Sequence, residues 1–303
     1  MSVSKLYYLA GISFGGTLVS EIQDGTPGTN TEELVARPSG SPHPLFRSVR
    51  GQKPGMPFTS NALGAILAQF STSAFCADLS GANTDLLFRQ GKNLGFRYAD
   101  NLSDHYRLRI AKAFLYWETI AADHQQDASI ACRVVAVSTA GEAPIVGGGT
   151  TIAGTVTSDE WYTLGPTKIN GTWLGNERGF SLASGVQTEE IGAGGQTYDS
   201  YVGGKTTDPV LTLRALGDPW GGYAAGGTAL TNIVQYLRRK ESDTHNYADS
   251  AEQHIKITCP NGLVFPEGVS GGADPSETTL RIGLRSASYG TEPVAIETGV
   301  AIA

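Results

Sequence analysis

The sequence predicts a mainly β chain made of two tandem units. Three observations carry that expectation: short runs in which apolar and polar residues alternate, a high density of turn residues, and a hydrophobic phase that recurs along the chain. The clearest alternation lies at 278–285, where Leu280, Ile282 and Leu284 share one face and Arg281 and Arg285 the other. Residues 210–216 alternate in the same way through Leu211, Leu213 and Ala215. A period of two marks strands with one buried face. The 39 glycines among 303 residues are scattered, without the every-third-residue register of a collagen helix.

Taken in order, residues 12–19 read as a first strand and are followed by a long polar segment, 20–44, rich in Gly and Pro. Residues 61–70 place Leu63, Ile66, Leu67 and Phe70 at helical spacing, and 83–90 reads as a second short helix through Leu86, Leu87 and Phe88. In the second half, residues 168–174 repeat the first strand and 175–197 the polar segment. The spacing of Ile233, Tyr236 and Leu237 predicts an amphipathic helix over 227–239. The fold class expected is therefore a β-sandwich or partial barrel, present twice, each copy with a flanking α-helix.

The repeat is the most informative feature. At an offset of 149, Tyr98-Ala99-Asp100 falls on Tyr247-Ala248-Asp249, and His105 falls on His254. At the same offset Tyr106, Leu108 and Ile110 land on Ile255, Ile257 and Cys259. A slip of one residue would throw every such side chain to the opposite face, so a preserved phase is a structural signal. Upstream, an offset of 152 brings Phe46 onto Tyr198 and Pro57 onto Pro209, and one of 155 brings Tyr7 onto Tyr162 and Gly16-Thr17 onto Gly171-Thr172. The first unit is expected at 1–150 and the second at 156–303, with the Gly147–Thr151 stretch inside a linker of about 147–155.

Composition excludes several function classes. With 22 basic against 29 acidic residues, the net charge of −7 offers no cationic excess for neutralising phosphates. The three cysteines, Cys76, Cys132 and Cys259, are far apart and form no disulfide or zinc pattern. No apolar stretch is long enough to span a bilayer, and the apolar patch near the N-terminus is too short for a secretory signal. Synthesis and folding in a cytoplasm is the expected default.

Catalytic signatures are missing too. Gly203-Gly204-Lys205-Thr206 resembles the end of a phosphate-binding loop, but Asp199 stands where its first glycine is needed. The histidines His43, His105, His124, His245 and His254 have no metal-like spacing; His105 and His254 are expected at equivalent strand starts, hydrogen-bonded in place. Asp123 and Asp127 bracket a polar loop that could hold a cation or be solvated. Trp117, Trp161, Trp173 and Trp220 are read as packing residues, with sugar stacking as the alternative. No catalytic residue, cofactor or metal is assigned, and a structural rather than enzymatic role is expected.

Each half resembles a tail-tube protein of long-tailed bacteriophages. The resemblance rests on Lys168-Ile169-Asn170-Gly171-Thr172-Trp173-Leu174, the long Gly-rich excursion after it, and the run Asp208-Pro209-Val210-Leu211-Thr212-Leu213. In the first half it rests on Phe14-Gly15-Gly16-Thr17-Leu18-Val19 through Pro57-Phe58-Thr59. It implies a virion structural protein, made in a bacterial host cytoplasm, that self-associates into rings stacked as a tube. Other tail proteins (tape measure, terminator, distal tail) would be its partners, with viral DNA passing through the lumen without specific binding. Two units per chain imply a homotrimeric ring with pseudo-sixfold symmetry. The alternatives are another virion component, such as a capsid decoration, tail terminator or distal adaptor, and a carbohydrate-binding β-protein using Trp161, Trp173 or Trp220.

Overall fold

The computed structural model describes residues 7–40, 42–70, 74–91, 105–138, 140–152, 160–217, 227–242, 244–270 and 277–303. The chain is mainly β, in large antiparallel sheets. Tyr98-Ala99-Asp100 and Trp220 lie outside the described residues.

The first half opens with β1 (Tyr7–Phe14) and β2 (Thr17–Val19), joined at Gly15-Gly16, both at positive φ as a two-residue hairpin turn requires. With β8 (Thr84–Gln90), β9 (His105–Ile110) and β12 (Ile145–Thr150) they form a five-stranded sheet ordered β12-β9-β8-β1-β2. A second layer is made by β3 (Ile22–Gly25), β6 (Gly55–Ser60), β10 (Ala113–Asp123) and β11 (Ser129–Ala136), ordered β10-β11-β6-β3. Ile12, Phe14 and Leu86 of the first layer meet Phe58, Trp117 and Ile130 of the second in one buried cluster, with the Phe14 and Phe58 ring centroids 6.4 Å apart.

The second half contributes β13 (Tyr162–Ile169), β14 (Thr172–Trp173), β15 (Glu177–Ala183), β18 (Val210–Leu216), β19 (Ala229–Arg239), β20 (His254–Ser270), β21 (Glu277–Arg285) and β22 (Ala295–Val300). The long β20 serves both layers. Its start pairs with β19 and β22, and its continuation pairs with β21. Strand β15 then pairs with β10, so the two halves share a 13-stranded sheet. Two hairpins stand apart as separate two-stranded sheets: β4 (Thr31–Ala36) with β5 (Phe46–Gln52), and β16 (Gln187–Ile191) with β17 (Tyr201–Thr206).

Strands β18 and β21 alternate in burial as their sequence demands, with Leu211, Leu213, Leu280 and Ile282 inside. Two expected helices are strands instead. Residues 227–239 hold β19, in which Ile233 to Leu237 are buried without interruption. A strand covered on both faces loses its period of two, and the apolar spacing then imitates a helix. Residues 83–90 hold β8 for the same reason, with Leu86 and Leu87 both buried. Within 61–70 a single turn, α1 (Leu63–Leu67), is helical and buries Leu63, Ile66 and Leu67.

The expected linker also differs. Gly147 to Thr150 belong to β12, each paired across to β9. The glycines there make room rather than slack, because a Cβ on Gly147 would run into the Tyr106 hydroxyl. Nor are the polar segments 20–44 and 175–197 loops, since they carry β3, β4, β15 and β16. The second cannot be excised from a folded chain: Phe180 and Leu182 of β15 are buried between β10 and β18.

Candidate assembly surfaces

The seam between the halves is a backbone ladder fixed by side chains from both. Strand β10 pairs with β15 from Thr119↔Ala183 to Asp123↔Gly179. The ladder is extended at one end by Ser184, whose N–H donates to Glu118 O at 3.0 Å. The Ser184 hydroxyl donates to Trp117 O at 2.6 Å. Across the other end Arg214 pairs with Asp123, and with Glu277 at 3.4 Å. Asp127 pairs with Lys240 at 2.8 Å. Both carboxylates read as possible cation ligands are thus matched to basic side chains.

Hairpin β16–β17 reinforces the seam from outside. Val186 and Val202 pack on Phe114, Tyr116 and Val135, a small apolar cluster on the outer face of β10 and β11. Gly204 lies directly over this cluster, where a Cβ would sit at ordinary contact distance, 3.8 Å, from both Cys76 Sγ and Phe114 Cζ. Lys53 pairs with Glu190 at 3.2 Å, Gln52 N–H donates to Thr197 O and Ser138 N–H donates to Asp199 O, each at 2.8 Å. The hairpin's Lys205 therefore sits within a strand, not in a phosphate-cradling loop before a helix.

Open edges and bare apolar side chains mark the rest of the surface. Strand β3 ends the large sheet, its inner side bonded to β6. Just beyond it Gly28 exchanges two hydrogen bonds with Gly55, so the neighbouring Pro27 faces the open side and presents no N–H there. A proline on an edge limits indiscriminate strand addition. Hairpin β4–β5 is exposed along its length, with Leu34, Val35, Phe46 and Val49 all open to solvent. Leu34 and Phe46 lie on one face of the hairpin and Val35 and Val49 on the other, and exposed apolar side chains of this kind mark an interaction surface.

The remaining chemistry-bearing residues are structurally satisfied. His105 and His254 stand at the starts of β9 and β20, as the sequence predicts, and both are buried. His105 Nδ1 accepts the Gln90 N–H at 3.2 Å, and His254 Nδ1 accepts the Arg239 N–H at 3.1 Å. His254 Nε2 lies 2.9 Å from Ala248 O, which fixes the tautomer with its proton on Nε2. Burial pushes the Cys132 thiol well up and that of Cys259 up to about 12, so neither is a reactive thiolate. Trp117 is fully buried, whereas Trp173 is partly exposed beside Tyr236 and Lys168. Trp161 lines a cleft of 610 Å³ with Asp127, Arg239 and Lys240, but the last three already hold protein partners.

Glu177 is a carboxylate clearly out of its ordinary range. Burial raises its pKa from 4.5 to about 7, against the opposing pull of the Thr167 N–H, which donates to both carboxylate oxygens at 3.0 and 3.1 Å. The folded state holds this proton more tightly than the unfolded chain, so the stability it contributes is full below about pH 4.5 and lost as pH rises through about 7. Glu177→Gln keeps an acceptor for Thr167 and removes the charge. We expect the variant to be more stable than wild type at pH 8 by at most ~3 kcal/mol and nearly equal at pH 4.5. Urea denaturation at the two pH values checks this, and an equal difference at both would refute it.

Among the described residues no group of three or more His, Cys, Asp and Glu side chains is placed to hold a metal ion. No helix among them is long and apolar enough to cross a membrane. Compared with known proteins, the chain matches no family model and no curated sequence.

Proposed function

We propose that this chain is a tail-tube subunit: a tandem duplicate of one β-sandwich unit, three copies of which close a pseudo-sixfold ring. Rings stack into the channel through which viral DNA is ejected, and tape-measure, terminator and distal-tail proteins meet the tube along its lumen and at its ends. The reading rests first on the ladders. The order β2-β1-β8-β9-β12 corresponds to β14-β13-β19-β20-β22, and β3-β6-β11-β10 to β15-β18-β21-β20. Individual pairs correspond as well: Phe14↔Thr17 with Ile169↔Thr172, Thr84↔Ile110 with Ile233↔Cys259, and Cys132↔Phe58 with Leu280↔Leu213.

Irregularities in the ladders support it further. Bulges at Ile22/Asp24, Glu32/Glu33 and Trp117/Thr119 have counterparts at Glu177/Gly179, Gln187/Thr188 and Pro266/Gly268. Bulges mark specific places in a strand, so shared positions are informative beyond shared strand order. The correspondence runs at 155 residues from β1 through β6 (Tyr7 against Tyr162), at 149 from β8 through β10 (Thr84 against Ile233) and at 148 across β11 (Cys132 against Leu280). Phe46 therefore corresponds to Tyr201 at the start of its hairpin strand, not to Tyr198, and no segment follows an offset of 152.

The single observation that carries assembly is the seam. In one chain the second unit's β15 adds to the first unit's β10, while the corresponding edges, on β3 and the end of β20, carry no further strand among the described residues. A contact of this head-to-tail kind, repeated between chains, generates a ring if its rotation closes. Pairing every edge removes the aggregation liability of an all-β subunit. The acidic balance suits a conduit that lets DNA pass. Negative-stain microscopy of the purified protein tests the reading. Hollow filaments with a central channel are expected; discrete rings would favour another virion component, and monomers at every concentration would overturn it.

A further inference from the structure

Within the chain, hairpin β16–β17 covers the outer face of the first unit's sheet. Among the described residues, no hairpin covers the same face of the second unit. Phe265 corresponds to Tyr116, and each is opposed across the ladder by an arginine, Arg281 and Arg133. Arg281 reaches Glu267 at 3.7 Å as Arg133 reaches Glu118 at 3.8 Å. The ion pairs match, but Leu263↔Gly283 stands where Phe114↔Val135 does, and Tyr116 is 7% exposed and Phe265 41%. The cover differs too: Val186 and Val202 lie over the Tyr116 cluster, whereas among the described residues the contact on the Phe265 ring is the Arg281 guanidinium, 5.6 Å from its centroid.

The missing cover has a counterpart elsewhere on the molecule. Directly opposed residues of a hairpin share a face, so Val202 and Glu190 lie on the same side as Gly204 and Thr188. That is the side turned to Phe114 and Tyr116. The matching side of β4–β5 carries Val35 opposite Arg47 and Val49 opposite Glu33. Val35 is 37% and Val49 47% exposed, and Arg47 and Glu33 pair with each other at 2.9 Å along this side. Because Val35, Val49 and Phe265 are all exposed, the hairpin and the bare face do not meet within one molecule.

We infer that hairpin β4–β5 of one chain docks, through Val35, Arg47 and Val49, on the Leu263–Phe265–Arg281 face of a second copy of the same chain. The occupant is argued from the molecule itself: the internal seam already holds the corresponding hairpin on the corresponding face. By that template Val49, in the place of Gly204, lies over Leu263, in the place of Phe114. Arg47, in the place of Val202, lies over Phe265. Pro27 gives this contact added weight, because the open edge beside it is one N–H short and cannot fix the register of neighbours by ladder bonds alone. The inference rests on the ring reading above.

Site-directed photo-crosslinking separates the two. The full chain is made with p-benzoylphenylalanine in place of Phe265, mixed with heavy-isotope-labelled wild-type chain, allowed to assemble and irradiated. Assembly is followed by light scattering. Cross-linked peptides joining residue 265 of one isotope to residues 31–36 or 46–52 of the other are expected. Assembly with links only to other segments, or with none, overturns the docking contact and leaves the ring standing. If both the wild-type chain and the mixture stay monomeric, the docking contact and the ring reading fall together. If the substituted chain alone fails to assemble, Val49→Asp serves as the second variant: it should shift wild-type assembly to at least tenfold higher concentration, and an unchanged threshold overturns the contact.

Discussion

Replacing Trp117 with alanine is expected to destabilise the fold by about 3–5 kcal/mol, the range for emptying an aromatic site in a packed core. Trp117 is the largest of the fully buried side chains and lies in the middle of β10. Its ring stacks on Phe75 at 5.6 Å between centroids, and its indole N–H donates to Ala74 O at 2.6 Å. Alanine therefore leaves a cavity and also deprives a carbonyl of its donor, which adds about 1–3 kcal/mol if no water replaces it. The backbone carbonyl of the same residue receives the Ser184 hydroxyl from the other half. The loss should accordingly appear as one cooperative shift in denaturant midpoint for the whole chain. A variant that unfolds at the wild-type midpoint would show that the seam and its core are placed wrongly.

The second large effect is expected at Gly185, where the chain leaves β15. Its φ of +60° is a conformation that costs a residue with a Cβ about 1–2 kcal/mol. Space is lacking as well: a Cβ would press on the Asp208 backbone, with the carbonyl carbon at 2.7 Å and the nitrogen at 2.9 Å. Backbone cannot step aside as a flexible side chain does, and the Asp208 N–H donates to Gly185 O, so Gly185→Ala is expected to cost about 3 kcal/mol or more. Gly171, in the turn between β13 and β14, is the control. Its φ is also positive, at +84°, but nothing lies within 4 Å of a Cβ there, so Gly171→Ala should show the conformational cost alone. Comparing the two by thermal unfolding isolates the clash, and equal losses would contradict the geometry at Gly185.

Much of the strand layout was legible because alternation survives wherever one face is wet. Leu211, Leu213, Leu280, Ile282 and Leu284 announce β18 and β21. Residues 12–19 and 168–174, each read as one strand, instead turn at Gly15-Gly16 and Asn170-Gly171. The two histidines fall at the starts of β9 and β20, where each opens a run of alternating residues. Alternation fails at both extremes of burial. β19 is covered on both sides from Ile233 to Leu237 and mimics a helix, while β4 is exposed at all six positions and reads as a loop. The glycines of β12 looked like a tether because the ring they accommodate, Tyr106, lies about forty residues away in sequence. The candidate surfaces were harder still to read. Phe265 and Val49 lie in runs whose alternation gives no sign that they are exposed, and they stand out only once burial is known.

Helix α1 has a consequence for how the halves hold together. It occupies the interval between β6 and β8 and buries Leu63, Ile66 and Leu67. Leu67 and Phe70 line a small hollow with Ile296 and Thr298 of β22. The first half is thus propped against the last strand of the second, so removing β22 would strip one flank of α1 as well as the rung that β22 adds to β20.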